Sequence, residues 1–91
     1  MPVEMRAKSI DSFFGILDVL DRVPPSDEKD AVRGTIERYI ISNLNAMVEY
    51  GDVIRSDDVF LPHERKAVSS VVDLYKRRVG EYLLREPNRQ E

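Results

Sequence analysis

The 91-residue chain contains no cysteine and no tryptophan, and it has a single histidine. The lack of cysteine excludes disulfides, thiolate metal sites and cysteine nucleophiles. One histidine cannot supply the ligand set of an ordinary zinc site within one chain. We therefore expect no metal and no cofactor, and a small fold that neither a disulfide nor a metal ion can support.

Long apolar runs are also missing. Asp11, Asp18 and Asp21 interrupt the first apolar stretch, so the sequence predicts neither a signal peptide nor a membrane anchor. With 42% hydrophobic and 34% charged residues, the composition is that of a folded domain rather than a disordered chain. The absence of cysteine suits a reducing compartment, so we expect a cytoplasmic protein without membrane association.

Three segments show the three- and four-residue spacing of apolar positions that is typical of amphipathic helices. The predicted helices cover residues 9–23, 27–50 and 62–86, and the first and last end before Pro24 and Pro87. Short connections between such helices predict an all-α antiparallel three-helix bundle. We expect one helical domain over residues 1–91, with flexible ends at 1–8 and 87–91.

Several residues are candidates for the ends of these helices. Ser9 or Ser12 is interpreted as the N-cap of the first helix, and Ser26 as that of the second. Gly51 is placed to end the second helix, because glycine accepts the backbone geometry of a C-cap. Pro62 suits the first turn of the third helix.

The first predicted helix has apolar residues around most of its circumference, although packing on one side needs an arc of little more than 100°. The excess indicates a second contact, with another chain. We expect association into a larger helical dimer, a homodimer or a complex with another protein, with these partner-binding anchors: Phe13, Phe14, Leu17 and Leu20. The leading hypothesis is thus a non-enzymatic protein–protein interaction module, such as an adaptor, assembly factor or small regulator.

Charge is distributed unevenly and suggests an alternative function. Residues 1–61 hold seven basic and twelve acidic residues, a net charge of −5, whereas residues 62–91 hold seven basic and five acidic residues, a net charge of +2. The predicted third helix carries cations that could meet phosphates or another anionic partner, at Lys76, Arg77, Arg78 and Arg85. The alternative is therefore a nucleic-acid-associated regulator.

A third class, a carrier or an enzyme, depends on isolated residues. The triplet Asp11-Ser12-Phe13 resembles the phosphopantetheine attachment site of acyl carrier proteins, which implies that Ser12 would hold the prosthetic group. The sequence lacks the complete helix and long loop that precede the serine of a carrier, which favours the helix cap. His63 is expected to be a solvated surface residue. Asp57 and Asp58 lack the spacing of a calcium loop.

Overall fold

The computed structural model describes residues 2–85, which form three α-helices. They are α1 (Pro2–Leu20), α2 (Asp27–Arg55) and α3 (Pro62–Arg85), and no strand occurs within these residues. The prediction of an all-α three-helix bundle is confirmed.

Helix α2 runs antiparallel to both neighbours. Near the start of α1, Arg6 donates a hydrogen bond of 3.1 Å to Asn43 in the middle of α2. Just beyond the end of α1, Asp21 pairs with Arg33 near the start of α2. Since α3 returns along α2 after a short connection, α1 and α3 run in the same direction.

The core is built from one stripe on each helix. On α1 the buried residues follow a four-three-four-three spacing, which keeps them on one side of the helix. They are Val3, Ala7, Ile10, Phe14 and Leu17. The buried apolar residues of the other helices are Ile36, Ile40, Met47 and Ile54 of α2, and Val68, Val72 and Val79 of α3.

Local hydrogen bonds mark the ends of the helices. Ser26 is the N-cap of α2 as predicted, and its hydroxyl accepts from the Lys29 backbone N–H at 3.0 Å. Pro62 opens α3 as predicted, and Glu64 accepts from the Leu61 N–H at 2.8 Å. Because the carboxylate of Glu64 lies in the first turn, it also suits the positive end of that helix.

Helix α1 is displaced from its predicted position. It begins at Pro2 rather than at residue 9 and ends at Leu20 rather than at residue 23. Of the predicted flexible end at 1–8, residues 2–8 are helical, because Val3 and Ala7 extend the core stripe by two turns, and residue 1 lies outside the described residues. Neither Ser9 nor Ser12 is an N-cap, since both lie inside the helix.

The second helix is longer than predicted, and it continues through Gly51 to Arg55. Gly51 does not end the helix. It is buried at the contact with α3, where an added Cβ would lie 3.2 Å from Val72 Cγ2 and 3.8 Å from Val68 Cγ1. The glycine thus allows close approach of α2 and α3. The predicted end at residue 86 and the predicted flexible end at 87–91 lie outside the described residues.

Replacement of Gly51 by leucine should lower the free energy of unfolding by about 1–3 kcal/mol, because the larger side chain overfills the α2–α3 contact. Gly80→Leu is the matched control, since no atom lies within 4 Å of a Cβ added there. The control should gain several tenths of a kcal/mol from helix propensity, up to about 0.8 kcal/mol. Urea unfolding of both variants at one protein concentration measures the difference, and equal losses would contradict the close approach.

Candidate interaction surface

The four predicted anchors divide into two pairs. Phe14 and Leu17 belong to the core of the single chain, so neither offers its side chain to a partner. Phe13 and Leu20 are half-buried and pack against the core from its edge. Helix α1 does expose apolar side chains outside the core. Two of the predicted anchors, Phe14 and Leu17, are not among them, because they face the core of the chain.

The outward side of α1 carries Met5, Ile16 and Val19, all of them exposed. Ile16 retains 48% of its surface. Ile16 and Val19 are not among the predicted anchors because the predicted first helix begins at residue 9. Extending the core stripe back to Val3 would have placed both residues on the opposite side of the helix, which is the signal that could have identified them.

Helix α2 continues this apolar surface. The rings of Phe13 and Tyr39 lie 5.6 Å apart at an interplanar angle of 32°, which places the two residues at the same level of the antiparallel pair. Leu20 lies seven residues after Phe13 on α1, and Val32 lies seven residues before Tyr39 on α2. Because the helices are antiparallel, Leu20 and Val32 are also at one level, about two turns from the first pair. We define the α1–α2 face as Phe13, Ile16, Val19, Leu20, Val23, Val32 and Tyr39.

The middle of the α1–α2 face carries no charge. The polar residues among its apolar side chains are small or neutral: Ser9 and Ser12 on α1, and Thr35, Ser42 and Asn43 on α2. Arg38 stands at the margin and donates to the Thr35 hydroxyl at 3.2 Å. In a chain with 34% charged residues, an uncharged surface of this length is unusual for a helix face that only meets water.

The basic residues of α3 do not form one surface. Arg78 pairs with Asp11 and lies over the Phe14 ring, 4.6 Å from its centroid, so this cation is used within the chain. Lys76, Arg77 and Arg78 are consecutive, and consecutive helical residues point about 100° apart. Lys76, Arg77 and Arg85 are exposed, and no described contact joins them into a patch.

Asp11 organises the contact between α1 and α3. It accepts from the Tyr75 hydroxyl at 2.9 Å as well as from Arg78. Burial and the hydrogen bond to Asp11 raise the pKa of the Tyr75 phenol above its ordinary value. The three side chains hold α1 and α3 in parallel alignment on the side of α1 that lies away from the α1–α2 face.

A second polar network links all three helical segments near the other end. Arg33 is buried, and it donates to Asp21 and, at 3.1 Å, to the Tyr82 oxygen. Tyr82 in turn donates to Glu37 at 2.6 Å. Burial opposes the charged guanidinium, but the bonds to Asp21 and Tyr82 outweigh it and raise the pKa of Arg33. Burial, together with the bond to Glu37, raises the pKa of Tyr82 to about 12.

The remaining candidate site residues lie on the surface of the protein. His63 and Ser12 are exposed. Asp57 accepts from the Val59 N–H at 3.0 Å, and Asp58 lies 3.8 Å from Arg65. Within residues 2–85, no three histidine, aspartate or glutamate side chains are grouped to hold a metal ion, and none of the helices is long and apolar enough to cross a membrane.

An apolar cleft of about 300 Å³ lies between the starts of α1 and α3. Its walls are formed by Val3, Glu4, Glu64, Ala67, Val68 and Val71. Both carboxylates lie in the first turns of their own helices, where the helix dipole accounts for their presence.

Comparisons with models of protein families, with curated proteins and with solved structures find no match. Within residues 2–85, the α1–α2 face combines exposed apolar side chains with an uncharged middle.

The Tyr82 network predicts a loss of stability at alkaline pH. Because the phenol has a pKa of about 12 in the fold and an ordinary value of 10.0 in the unfolded chain, its contribution is complete below pH 10 and is lost as the pH rises through about 12. Titration of phenolate absorbance should show a step near pH 12 that Tyr82→Phe removes and Tyr75→Phe leaves in place. Persistence of that step in Tyr82→Phe would refute the assignment.

Proposed function

We propose that the protein is a non-enzymatic protein–protein interaction module that forms a homodimer through the α1–α2 face. Its cellular role would be that of an adaptor, assembly factor or small regulator, and the cysteine-free composition suits work in the cytoplasm. The observation that carries the proposal is the uncharged middle of this face, where exposed Ile16, Val32 and Tyr39 continue the half-buried Phe13 and Leu20.

The size of the face supports a stable contact. Five of its side chains, namely Val23, Val32, Ile16, Tyr39 and Val19, are between 43% and 59% exposed. At roughly 80 Å² for each half-exposed valine or isoleucine and about 120 Å² for the tyrosine, they present roughly 440 Å² before the polar rim is added, and a standard interface buries about 800 Å² on each partner. The apolar part is therefore large enough for the centre of such an interface, with the surrounding serine, threonine and asparagine side chains as its rim.

The outer side of α3 provides an internal comparison. Its exposed positions include a charged residue in almost every turn, namely Lys66, Asp73, Arg77 and Glu81. Leu74 is 52% exposed among them, as single apolar residues often are on protein surfaces. Since both surfaces belong to one chain, composition alone does not explain why the α1–α2 face lacks charge, and burial in an interface does.

The alternative role in nucleic-acid binding has less support from the arrangement of the cations. Phosphate binding by a helix needs several lysine or arginine side chains along one side. Arg78 is paired with Asp11, and Lys76 and Arg77 point in different directions around α3.

Sedimentation equilibrium tests the proposed function. The wild-type mass should rise with concentration from 10.5 kDa towards twice that value. Ile16→Lys should keep the mass at that of one chain, because it places a charge in the middle of the uncharged face without touching the core. Leu74→Lys is the matched control, since it makes the same replacement at a similarly exposed helical position, and it should associate like the wild type.

Circular dichroism of both lysine variants should show an unchanged helical content, because neither side chain is part of the core. A wild-type mass that stays at 10.5 kDa at all concentrations would overturn the homodimer. Loss of association in Leu74→Lys together with its retention in Ile16→Lys would place the interface elsewhere.

A further inference from the structure

We infer that in the homodimer α1 lies antiparallel on the α1 of a second copy, with a two-fold axis that passes between Phe13 and Ile16. This inference rests on the proposed function and adds the arrangement of the partner at the same face. It follows from two gradients along the α1–α2 face, one in side-chain size and one in charge.

The first gradient is in size. Along α1, small Ser9 and Ser12 precede large Ile16 and Leu20. A two-fold operation at right angles to α1 reverses the order of residues on the second copy, so the end that carries Ser9 meets the end that carries Leu20, and Phe13 and Ile16 meet at the axis. With the axis between Phe13 and Ile16, Ser9 lies opposite Leu20 of the partner subunit.

The same axis also pairs residues of α2 by size. The level between Phe13 and Ile16 corresponds to a level near Glu37 of α2, since Phe13 and Tyr39 lie side by side. Reversal about that level places Val32 opposite Ser42 of the partner subunit and Tyr39 opposite Thr35 of the partner subunit. One position of the axis thus accounts for both helices, as the interdigitation of close-packed side chains requires.

The second gradient is in charge. Residues 2–8, where α1 begins, carry a net charge of +1, and residues 44–50 of α2 at the same level carry −1, whereas residues 21–30 at the opposite end carry −2. Antiparallel association brings the neutral end of one copy to the acidic end of the other, whereas parallel association about an axis along the helices brings the two acidic ends together. Repulsion between like charges at the rim therefore disfavours the parallel arrangement.

Parallel association is also worse for packing. An axis along the helices would stack α1 on α2 of the second copy at the same level, with Phe13 against a tyrosine and Leu20 against a valine. Both of these pairs set a large residue against a large one, whereas the antiparallel arrangement has one such pair on α1, Phe13 with Ile16 at the axis, and places Leu20 against a serine.

Single cysteines test the arrangement directly, because the chain contains none of its own. Ile16 is about 1.5 residues from the axis, so its distance along the helix from the same residue of the second copy is only about 4.5 Å. Oxidised glutathione should therefore link Ile16→Cys into a covalent dimer. Ser9→Cys and Leu20→Cys should each fail to self-link, since each of these residues lies about 16 Å from its own copy along the helix. A mixture of the two should give the mixed dimer.

The outcomes separate the inference from the function on which it rests. A wild-type chain that remains monomeric in sedimentation removes the homodimer and the arrangement together. A wild-type dimer in which Ile16→Cys fails to link, or in which Ser9→Cys links to itself, overturns only the antiparallel arrangement. Sedimentation of the reduced cysteine variants shows that each still associates, so that a missing link reports geometry rather than loss of the dimer.

Discussion

The packing of α1 through one stripe determines most of what the molecule presents to its surroundings. Val3, Ala7, Ile10, Phe14 and Leu17 are all buried, and their regular spacing leaves α1 no freedom to rotate in the bundle. Once that rotation is set, Ile16 and Val19 must point outward although both are strongly apolar. The position of the exposed apolar surface thus follows from that of the buried stripe, because both belong to the same rigid helix.

Polar contacts on α1 reinforce this rotation from the sides. Asp11 holds Tyr75 and Arg78 of α3, and Asp21 pairs with buried Arg33 of α2. A buried cation without partners would destabilise the fold, so Arg33 requires the carboxylate and the Tyr82 oxygen to be in place. The sequence suggests that the arginines of α3 are free to bind a ligand. In the structure Arg78 is instead paired with Asp11, so it stabilises the bundle and does not contribute to a basic surface.

The sequence predicts the number and order of the helices, because apolar spacing, the Ser26 cap and the prolines at residues 24 and 62 are local signals. The start of α1 was not predicted, since Pro2 is tolerated in a first turn and Val3 and Ala7 continue the periodicity across the apparent boundary. Gly51 was misinterpreted because glycine ends helices and also permits close helix contact, and only the position of Val72 distinguishes the two.

The candidate surface was predictable in kind but not in its residues. Apolar residues around most of α1 indicate two contacts, yet they do not say which half faces the core of the chain. Phe14 and Leu17 are the bulkier choices for a partner, and they lie instead in the intramolecular stripe. The contribution of Tyr39 and Val32 could not be found from α1 alone, because it depends on the level at which α1 and α2 pair.

In the proposed homodimer, folding and association would therefore use different side chains of the same helix. Substitutions in the stripe of Leu17 disturb the core and the bundle with it, whereas substitutions at Ile16 change a surface that the single chain does not need for its own packing. If the face binds a second copy as proposed, substitutions on it would change the partner preference without changing the fold. The small serines on α1 would then set the space available to side chains of that copy.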